Sequence, residues 1–457
     1  MSQTIRTKKR EDYALMTHPV ISLKPSYNSV IRGCPGVPDT LPRIECELRI
    51  RSSDGKAFRI DKIEVVLKGI ESLLGGHHSF APKSKVEKVT IHYKKNIKMS
   101  EKKIVGIDIP LTIGLPEDVK ETNFNSSFGS SITLLECMVR YNGLEDPQVF
   151  AQAVNVEKYT ILPNPKRFPS VSRQVFSPDH KFSVEYTVVN PCVSVDDNLN
   201  LLLEIKPNAR VVGDSSSTSL FGKKFTKLKS VVVSLKECLE ILDPATGFGE
   251  TRENVLREMV HTFDERISSN GIKLKFELPV QARIGLFGEF ESSLRELDML
   301  RRAGSQTVSH LPSTRLLQNK THGSLGIPFQ YHSSITTTGG SLFRITHAAA
   351  VKVKISSGKS FHLNHPIDVS SWTQLQLKGL DQLIFHEKET AKFARQFYDN
   401  FGGITRKNKP TMSNSVTVVE YPPLPPVVYP NDSETLRKLD IKYVNIGSFS
   451  RRVPLID

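Results

Sequence analysis

The chain has 457 residues, of which 38% are hydrophobic and 24% charged. That composition excludes wholesale disorder, and at this length it excludes a single small core. The formal net charge of +14 favours anionic partners: nucleic acid, acidic protein segments or phosphoinositide-bearing membranes. No stretch approaches the roughly 18 apolar residues needed to cross a bilayer. Lys8, Lys9 and Arg10 have no apolar run behind them, so the expected location is cytoplasmic, with peripheral contact at the plasma membrane or endosomes. Five cysteines (Cys34, Cys46, Cys137, Cys192 and Cys238), without a C-x-x-C pair, read as reduced, mostly buried small hydrophobes.

Alternation of polar and apolar residues dominates the predicted elements. It is clean over 43–51 and 58–67, and Ser53-Asp54-Gly55 between them predicts a hairpin, because Asp-Gly tolerates the positive φ of a tight turn. Strands follow at 86–98, 104–115, 130–142 and 148–160, with Asn142-Gly143 marking another hairpin. Pro163, Pro165 and Pro169 interrupt both helix and sheet within 161–174, which predicts a linker. Strands resume at 181–189, 199–206, 228–242, 272–282, 342–355 and 359–364. Insertions at 207–226 and 285–322 read as surface loops. Residues 250–263 predict a short helix, with Val255, Met259, Val260 and Phe263 at near-helical spacing. Residues 387–401 predict an amphipathic helix with Ala391, Ala394, Phe397, Tyr398 and Phe401 on one side, stopped by Gly402-Gly403.

The fold class is therefore all-β, since crossover helices for a parallel sheet are absent. The expected organisation is a β-sandwich over 19–160, a linker at 161–174, a second sandwich over 175–372 carrying the two insertions, and a short helix with a Pro-rich, basic tail over 373–457.

Motifs for catalysis fall short of their chemistry. Gly358-Lys359-Ser360 ends like a phosphate-binding loop, but Val353 stands where the wrapping glycine is needed, so the segment reads as a hairpin turn. His322-Gly323-Ser324-Leu325-Gly326 lacks the first glycine of a nucleophile elbow. His362 and His365, three apart at a strand end, point to opposite faces; they and His77-His78 read as ordinary polar residues. Glu45 and Glu47 follow strand alternation as a solvated face. No catalytic residue, metal ligand or cofactor is expected, and the chain is not expected to be an enzyme.

Two features read as binding surfaces. Between residues 83 and 103, eight lysines stand against Glu87 and Glu101. Lys94, Lys95, Lys98, Lys102 and Lys103 are the candidates for holding an anionic phospholipid or a phosphorylated segment; the alternative is a solvated face that keeps edge strands unpaired. The stretch from Tyr421 to Pro430 contains Pro422, Pro423, Leu424, Pro425, Pro426 and Tyr429. It is suited to a polyproline II helix that docks on a WW or SH3 domain, or alternatively to a stiff spacer or packed terminal arm.

The strings LPRIECELRIRSSDG (41–55) and IDKIEVVLKGIES (60–72) resemble the early strands of the arrestin family, in particular the fungal arrestin-related trafficking adaptors, or α-arrestins. LFRITH (342–347), VKVKI (351–355) and HPIDV (365–369) look like the late strands of the arrestin C-domain. The resemblance spans roughly 19–372. It implies two arrestin-like β-sandwich lobes and a cytosolic adaptor that recognises membrane cargo of permease or receptor type. It also implies recruitment of a HECT-type ubiquitin ligase through P-P-x-Y motifs, leading to endocytosis. This chain departs from that pattern: Pro425-Pro426-Val427-Val428-Tyr429 has one residue too many, which in polyproline II moves the tyrosine about 3.1 Å along the axis and a third of a turn.

The reading is thus an arrestin-like adaptor linking membrane cargo to ubiquitin-dependent sorting, with a HECT-type ligase or other WW-domain protein as partner and no nucleic acid. The alternatives are an arrestin-fold scaffold acting without a ligase, and a basic nucleic-acid-binding β-sandwich. Few aromatics interleave the lysine runs, which disfavours the last.

Overall fold

The computed structural model describes residues 18–25, 31–73, 86–99, 103–125, 129–154, 156–208, 227–242, 249–280, 321–322, 327–328, 337–356, 360–410, 415–430, 441–446 and 449–454. Insertion 207–226 lies outside these residues beyond Asn208, as does 285–322 before the short pair Thr321–His322 with Ile327–Pro328. His77, His78, Lys102, Gly323, Ser324, Gly358 and Lys359 also lie outside them.

The N-terminal lobe is built from β1 (Pro19–Pro25), β2 (Arg43–Ser52), β3 (Phe58–Leu73), β4 (Val86–Lys98), β5 (Gly106–Gly114), β6 (Gly129–Tyr141) and β7 (Gln148–Val154). One sheet runs β1-β2-β5, the other β7-β6-β3-β4. Alternation makes the core: Ile44, Leu48 and Ile50 of β2 and Ile107 and Ile113 of β5 meet Ile63, Val65 and Leu67 of β3 and Val139 of β6. Each such fully buried aliphatic side chain contributes about 1.5–3 kcal/mol. The Asp54-Gly55 turn does not close a hairpin, a correction to the sequence reading. Gly55 has the expected positive φ of 75°, but β2 and β3 lie in different sheets, so the turn carries the chain across the sandwich. Asn142-Gly143, with φ of 50° and 70°, does join paired strands.

The C-terminal lobe comprises β8 (Val171–Phe176), β9 (Phe182–Val188), β10 (Cys192–Ser194), β11 (Asn198–Pro207), β12 (Lys227–Leu242), β13 (Gly249–Arg266), β14 (Ile272–Pro279), β15 (Phe343–Ile355) and β16 (Phe361–Ser370). The sheets are β8-β9-β11-β14 and β10-β16-β15-β12-β13, enclosing a second core around Val184, Leu201, Val231, Val233 and Val353. The helix expected at 250–263 is instead strand β13. Register shifts against β12 between Leu235 and Lys236 and between Leu228 and Ser230 insert extra residues. These bulges place Leu256, Met259 and Phe263 on the core side at helix-like spacing. The linker also ends earlier than expected, because β8 begins at Val171.

After β16 comes α1 (Gln374–Asp399), 26 residues and so not short. Thr373 and Gln376 form a reciprocal capping box, the local signal for its true start. At roughly 1.5 Å per residue it spans about 39 Å. The chain then forms the hairpin β17 (Thr405–Pro410) and β18 (Ser415–Glu420), and β19 (Val427–Tyr429) adds antiparallel to the free edge of β5. The expected tail is therefore part of the N-terminal lobe as far as Tyr429. Beyond it, Ile441–Ile446 pairs with Phe449–Pro454.

The lobes meet at a buried carboxylate. Glu71, at the far end of β3, accepts from the Ser341 backbone N–H (2.6 Å), the Ser341 hydroxyl (2.7 Å) and the Leu342 N–H (2.9 Å). Beside it, Leu73 joins Leu239, Leu342, Phe343 and Ile345 in an apolar cluster shared by both lobes. A Cβ on Gly340 would lie 2.8 Å from Glu71 Oε2 and 2.6 Å from the Phe343 carbonyl, so only glycine allows this approach. Glu71→Ala leaves the buried Leu342 N–H and the half-buried Ser341 N–H without an acceptor and is expected to cost about 1–3 kcal/mol. Glu253→Ala, which removes an exposed partner of Lys236, is expected to stay within about 0.5 kcal/mol. Urea unfolding of the two variants measures the contrast.

Candidate functional site

The five candidate lysines do not form one patch. In the β3–β4 register, Lys95 stands opposite Val65 and Lys94 opposite Val66. Val65 belongs to the core, so Lys95 lies on the core side and Lys94 on the outer face. Lys98 shares that outer face opposite Lys62, and Lys103 pairs with Arg59 farther along β3. The structure thus brings Lys94, Lys98 and Lys103 into one row, separates Lys95, and leaves Lys102 outside the described residues. Lys94 and Lys62 each bond the Glu64 carboxylate at 2.9 Å, and those two bonds hold Glu64 below the usual carboxylate range. Lys94 is therefore partly neutralised, and Lys98 and Lys103 carry the net charge of the row. β4 is itself an edge strand, with Val89 54% and Ile91 60% exposed.

His362 and His365 both lie on β16 and face opposite ways, as strand alternation predicts. His365 is buried, with Nδ1 3.4 Å from the Tyr186 hydroxyl. The five cysteines are free, four of them buried, and burial pushes the Cys46 thiol up to about 12.

The Pro-rich stretch is a docked arm. Pro423, Pro425 and Pro426 are exposed, while Tyr421, Pro422, Leu424 and Tyr429 are partly covered. The Tyr421 ring stands edge-on to Tyr398 at 5.0 Å. A Cβ on Gly114 would run into the Val419 carbonyl, so β18 lies directly against the end of β5. Tyr429 donates its hydroxyl to Asp108 Oδ2 at 2.9 Å, Arg51 pairs with the same carboxylate at 3.2 Å, and the Tyr429 carbonyl accepts from the Val105 N–H at 3.1 Å. Desolvation and the Asp108 contact both raise the Tyr429 pKa. The tyrosine that a WW domain would read is thereby occupied within the chain. No local sequence signal could have placed it against Asp108.

Helix α1 is the other feature that sequence reading caught only in part. Its start is tied to the C-terminal lobe: the Gln374 N–H donates to Asp196 and its side-chain amide to Asp197, both at 2.9 Å. Its middle and end are tied to the N-terminal lobe. The Gly33 N–H donates to Glu387 Oε2 at 2.9 Å, and the Tyr398 and Thr112 hydroxyls lie 2.5 Å apart. The buried face carries Leu380, Leu383, Glu387, Ala391 and Tyr398. Phe397 and Phe401, grouped with Ala391 in the sequence reading, face solvent instead, as do Phe385 and Phe393.

Peeling the arm away should unmask the motif. A free peptide covering 418–432 is expected to bind a WW domain at least 10-fold more tightly than the full chain does. Tyr429→Phe, which loses one hydrogen bond worth about 1 kcal/mol, is expected to narrow that gap. Fluorescence titration against one WW domain checks both.

Among the described residues no helix is long and apolar enough to cross a membrane, and no group of three or more His, Cys, Asp or Glu stands together as a metal site. No family model matches the chain. The chain is 41% identical, over 498 aligned positions covering 96% of its own length and 100% of the relative's, to "RHO1 GEF localizing protein 1" of Saccharomyces cerevisiae. At that identity and near-complete mutual coverage, the chain belongs to the family of the RHO1 GEF localizing protein 1.

Proposed function

We propose that this chain is a non-enzymatic adaptor of arrestin-like architecture that holds a RHO1 guanine-nucleotide exchange factor at its place of action. The carrying observation is the co-extensive match to a relative whose name states that role. An adaptor of this kind needs two contacts, one for the exchange factor and one for the place. The row of Lys98, Lys103 and Lys94, beside the exposed Val89 and Ile91, is suited to an anionic membrane: basic side chains meet head groups at roughly 1 kcal/mol each, and the apolar pair adds burial.

A second reading keeps the cargo-adaptor role in ubiquitin-dependent sorting. The exposed Pro423, Pro425 and Pro426 support it, since they are open to a WW groove while Tyr429 is not.

The test is live imaging of a fluorescent exchange factor in cells with the chain, without it, and with the triple variant K94E/K98E/K103E. The expected result is loss of the focal exchange-factor signal in the deletion and a several-fold weaker signal in the triple variant, with permease turnover unchanged. An exchange factor that stays in place in the deletion overturns the localising reading. Slowed permease ubiquitination in the same cells would favour the second.

A further inference from the structure

The segment 337–341 is pinned at one end over a buried imidazole and at the other to the opposite lobe. His347 of β15 is 2% exposed, on the core side of its sheet. Its Nδ1 lies 3.1 Å from the Thr337 hydroxyl. That hydroxyl oxygen already accepts from the Val369 N–H at 2.9 Å. Its own proton is therefore directed at Nδ1, and the ring carries its single proton on Nε2. Among the described residues Nε2 has no hydrogen-bond partner. The Thr337 N–H donates in turn to the Val369 carbonyl at 2.9 Å, and Thr338 and Gly339 pair with Ile345 and Arg344. Just beyond, the Ser341 N–H and hydroxyl and the Leu342 N–H hold Glu71 of β3. One short flap thus runs from the imidazole to a contact that joins the lobes.

We propose that His347 is a proton-operated latch: when the ring takes a second proton, the 337–341 flap lifts and the Glu71 contact between the lobes opens.

Charge on this ring is poorly accommodated in the closed lobe. The second proton enters on Nδ1, where Thr337 points its own, and Ile345, Ala349 and Ile367 surround the ring with apolar surface. Glu237 stands directly opposite on β12, its Oε1 3.3 Å from the Asn254 side-chain nitrogen of β13. On β16 the residue opposite is Ile367. Beside it on the same face lies His365, held below the ordinary imidazole range by burial and by Arg173 of β8. Arg344, Glu240 and Asp368 lie on the other face of the sheet by alternation. The flap carries no charged side chain, and Glu71 meets it at its far end.

Burial holds the His347 pKa down to about 4, whereas an imidazole open to water titrates near 6.5. Between those values the lifted form binds a proton that the closed form does not, so acid favours lifting. The closed form keeps its full advantage above about pH 6.5 and loses it roughly 10-fold per pH unit below. The latch stands whichever partner the adaptor carries. Its consequence is that surfaces on the two lobes keep a fixed separation at neutral pH and lose it in acid.

Hydrogen exchange of the full chain, read by mass spectrometry and corrected for the intrinsic pH dependence of exchange, tests the latch. The reporting segment is 337–345, which contains the Ser341 and Leu342 amides; 63–67 in the core of the other lobe is the reference. In wild type, protection of 337–345 is expected to be about 10-fold lower at pH 5.5 than at pH 7.5, with 63–67 unchanged. His347→Gln, a neutral side chain of similar reach, is expected to abolish the pH response, and Glu237→Gln to keep it. Four outcomes overturn the latch: wild-type protection that is flat or rises in acid, the rise meaning that Glu237 clasps the charged ring; a response that survives His347→Gln; a response lost in Glu237→Gln; or parallel loss at 63–67, which is global unfolding. If His347→Gln does not fold, the wild-type profile decides alone. Protection lost through an inflection near pH 6.5 and confined to 337–345 upholds the latch, and any other profile overturns it.

Discussion

Burial of the Trp372 indole between the lobes is the contact on which the rest of the architecture depends. Its ring lies against Tyr159 at 5.0 Å and its Nε1–H donates to the Lys158 carbonyl at 3.2 Å. Cys34, Leu380 and Leu383 close the cluster. Four distant stretches of chain meet there: the loop after β1, the linker, the end of β16 and the first turns of α1. The prolines of the linker have no N–H to donate into a sheet; its carbonyls find other partners, Ile161 accepting from the Ser370 hydroxyl at 2.6 Å and Asn164 from the Arg167 and Phe168 N–H groups. With the indole in place, Thr373 is set to cap α1, and the helix direction follows from the cap. A bulky apolar side chain thus fixes the trajectory of a 26-residue brace.

That brace and the Glu71 carboxylate bind the lobes in different ways. Glu71 is directional: its oxygens fit the Ser341 and Leu342 N–H groups only when Gly340 lets the backbones close in. The brace is mainly apolar and tolerates small shifts, as hydrophobic contact is non-directional. Directional and non-directional ties at separate points restrain hinge motion more than either alone. A frame of that kind is suited to presenting surfaces at a fixed separation, which is what an adaptor joining two partners requires.

The legibility of this chain follows the range of the interactions. Strands were readable because burial on one face writes period two into neighbouring residues, as in Ile44, Cys46, Leu48 and Ile50. Where a bulge inserts a residue, as at Leu256, the same local rule gave a helix. Lys94 and Lys95 were separable in principle by alternation alone, but which of them faces the core depends on the register with Val65 and Val66. Nothing near Tyr429 encodes Asp108, which lies 321 residues earlier. The first half of α1 had a local signature in Thr373 and Gln376, masked by Gly379 and by polar residues where an apolar face was sought.

Edge management explains why the arm is where it is. β5 ends its sheet, and without β19 it would present free N–H and C=O groups beside the buried Asp108. Three residues of the arm pair with Gly106, Ile107 and Asp108 at the start of that edge, and Tyr429 caps the carboxylate, so the arm's proline content serves the fold: prolines before and after β19 limit how far the added strand can extend. The β4 and β13 edges are protected differently. β4 carries lysines, which oppose pairing with another basic copy, and β13 is twisted by its bulges. These three edges thus each have a structural defence, whereas the phenylalanines of α1 belong to no sheet. Phe385 and Phe393, 66% and 69% exposed, guard no edge, and exposed aromatics of this kind cost solubility without stabilising the fold. Their presence on an element otherwise tied down at both ends is therefore a feature of the described residues that folding alone does not account for.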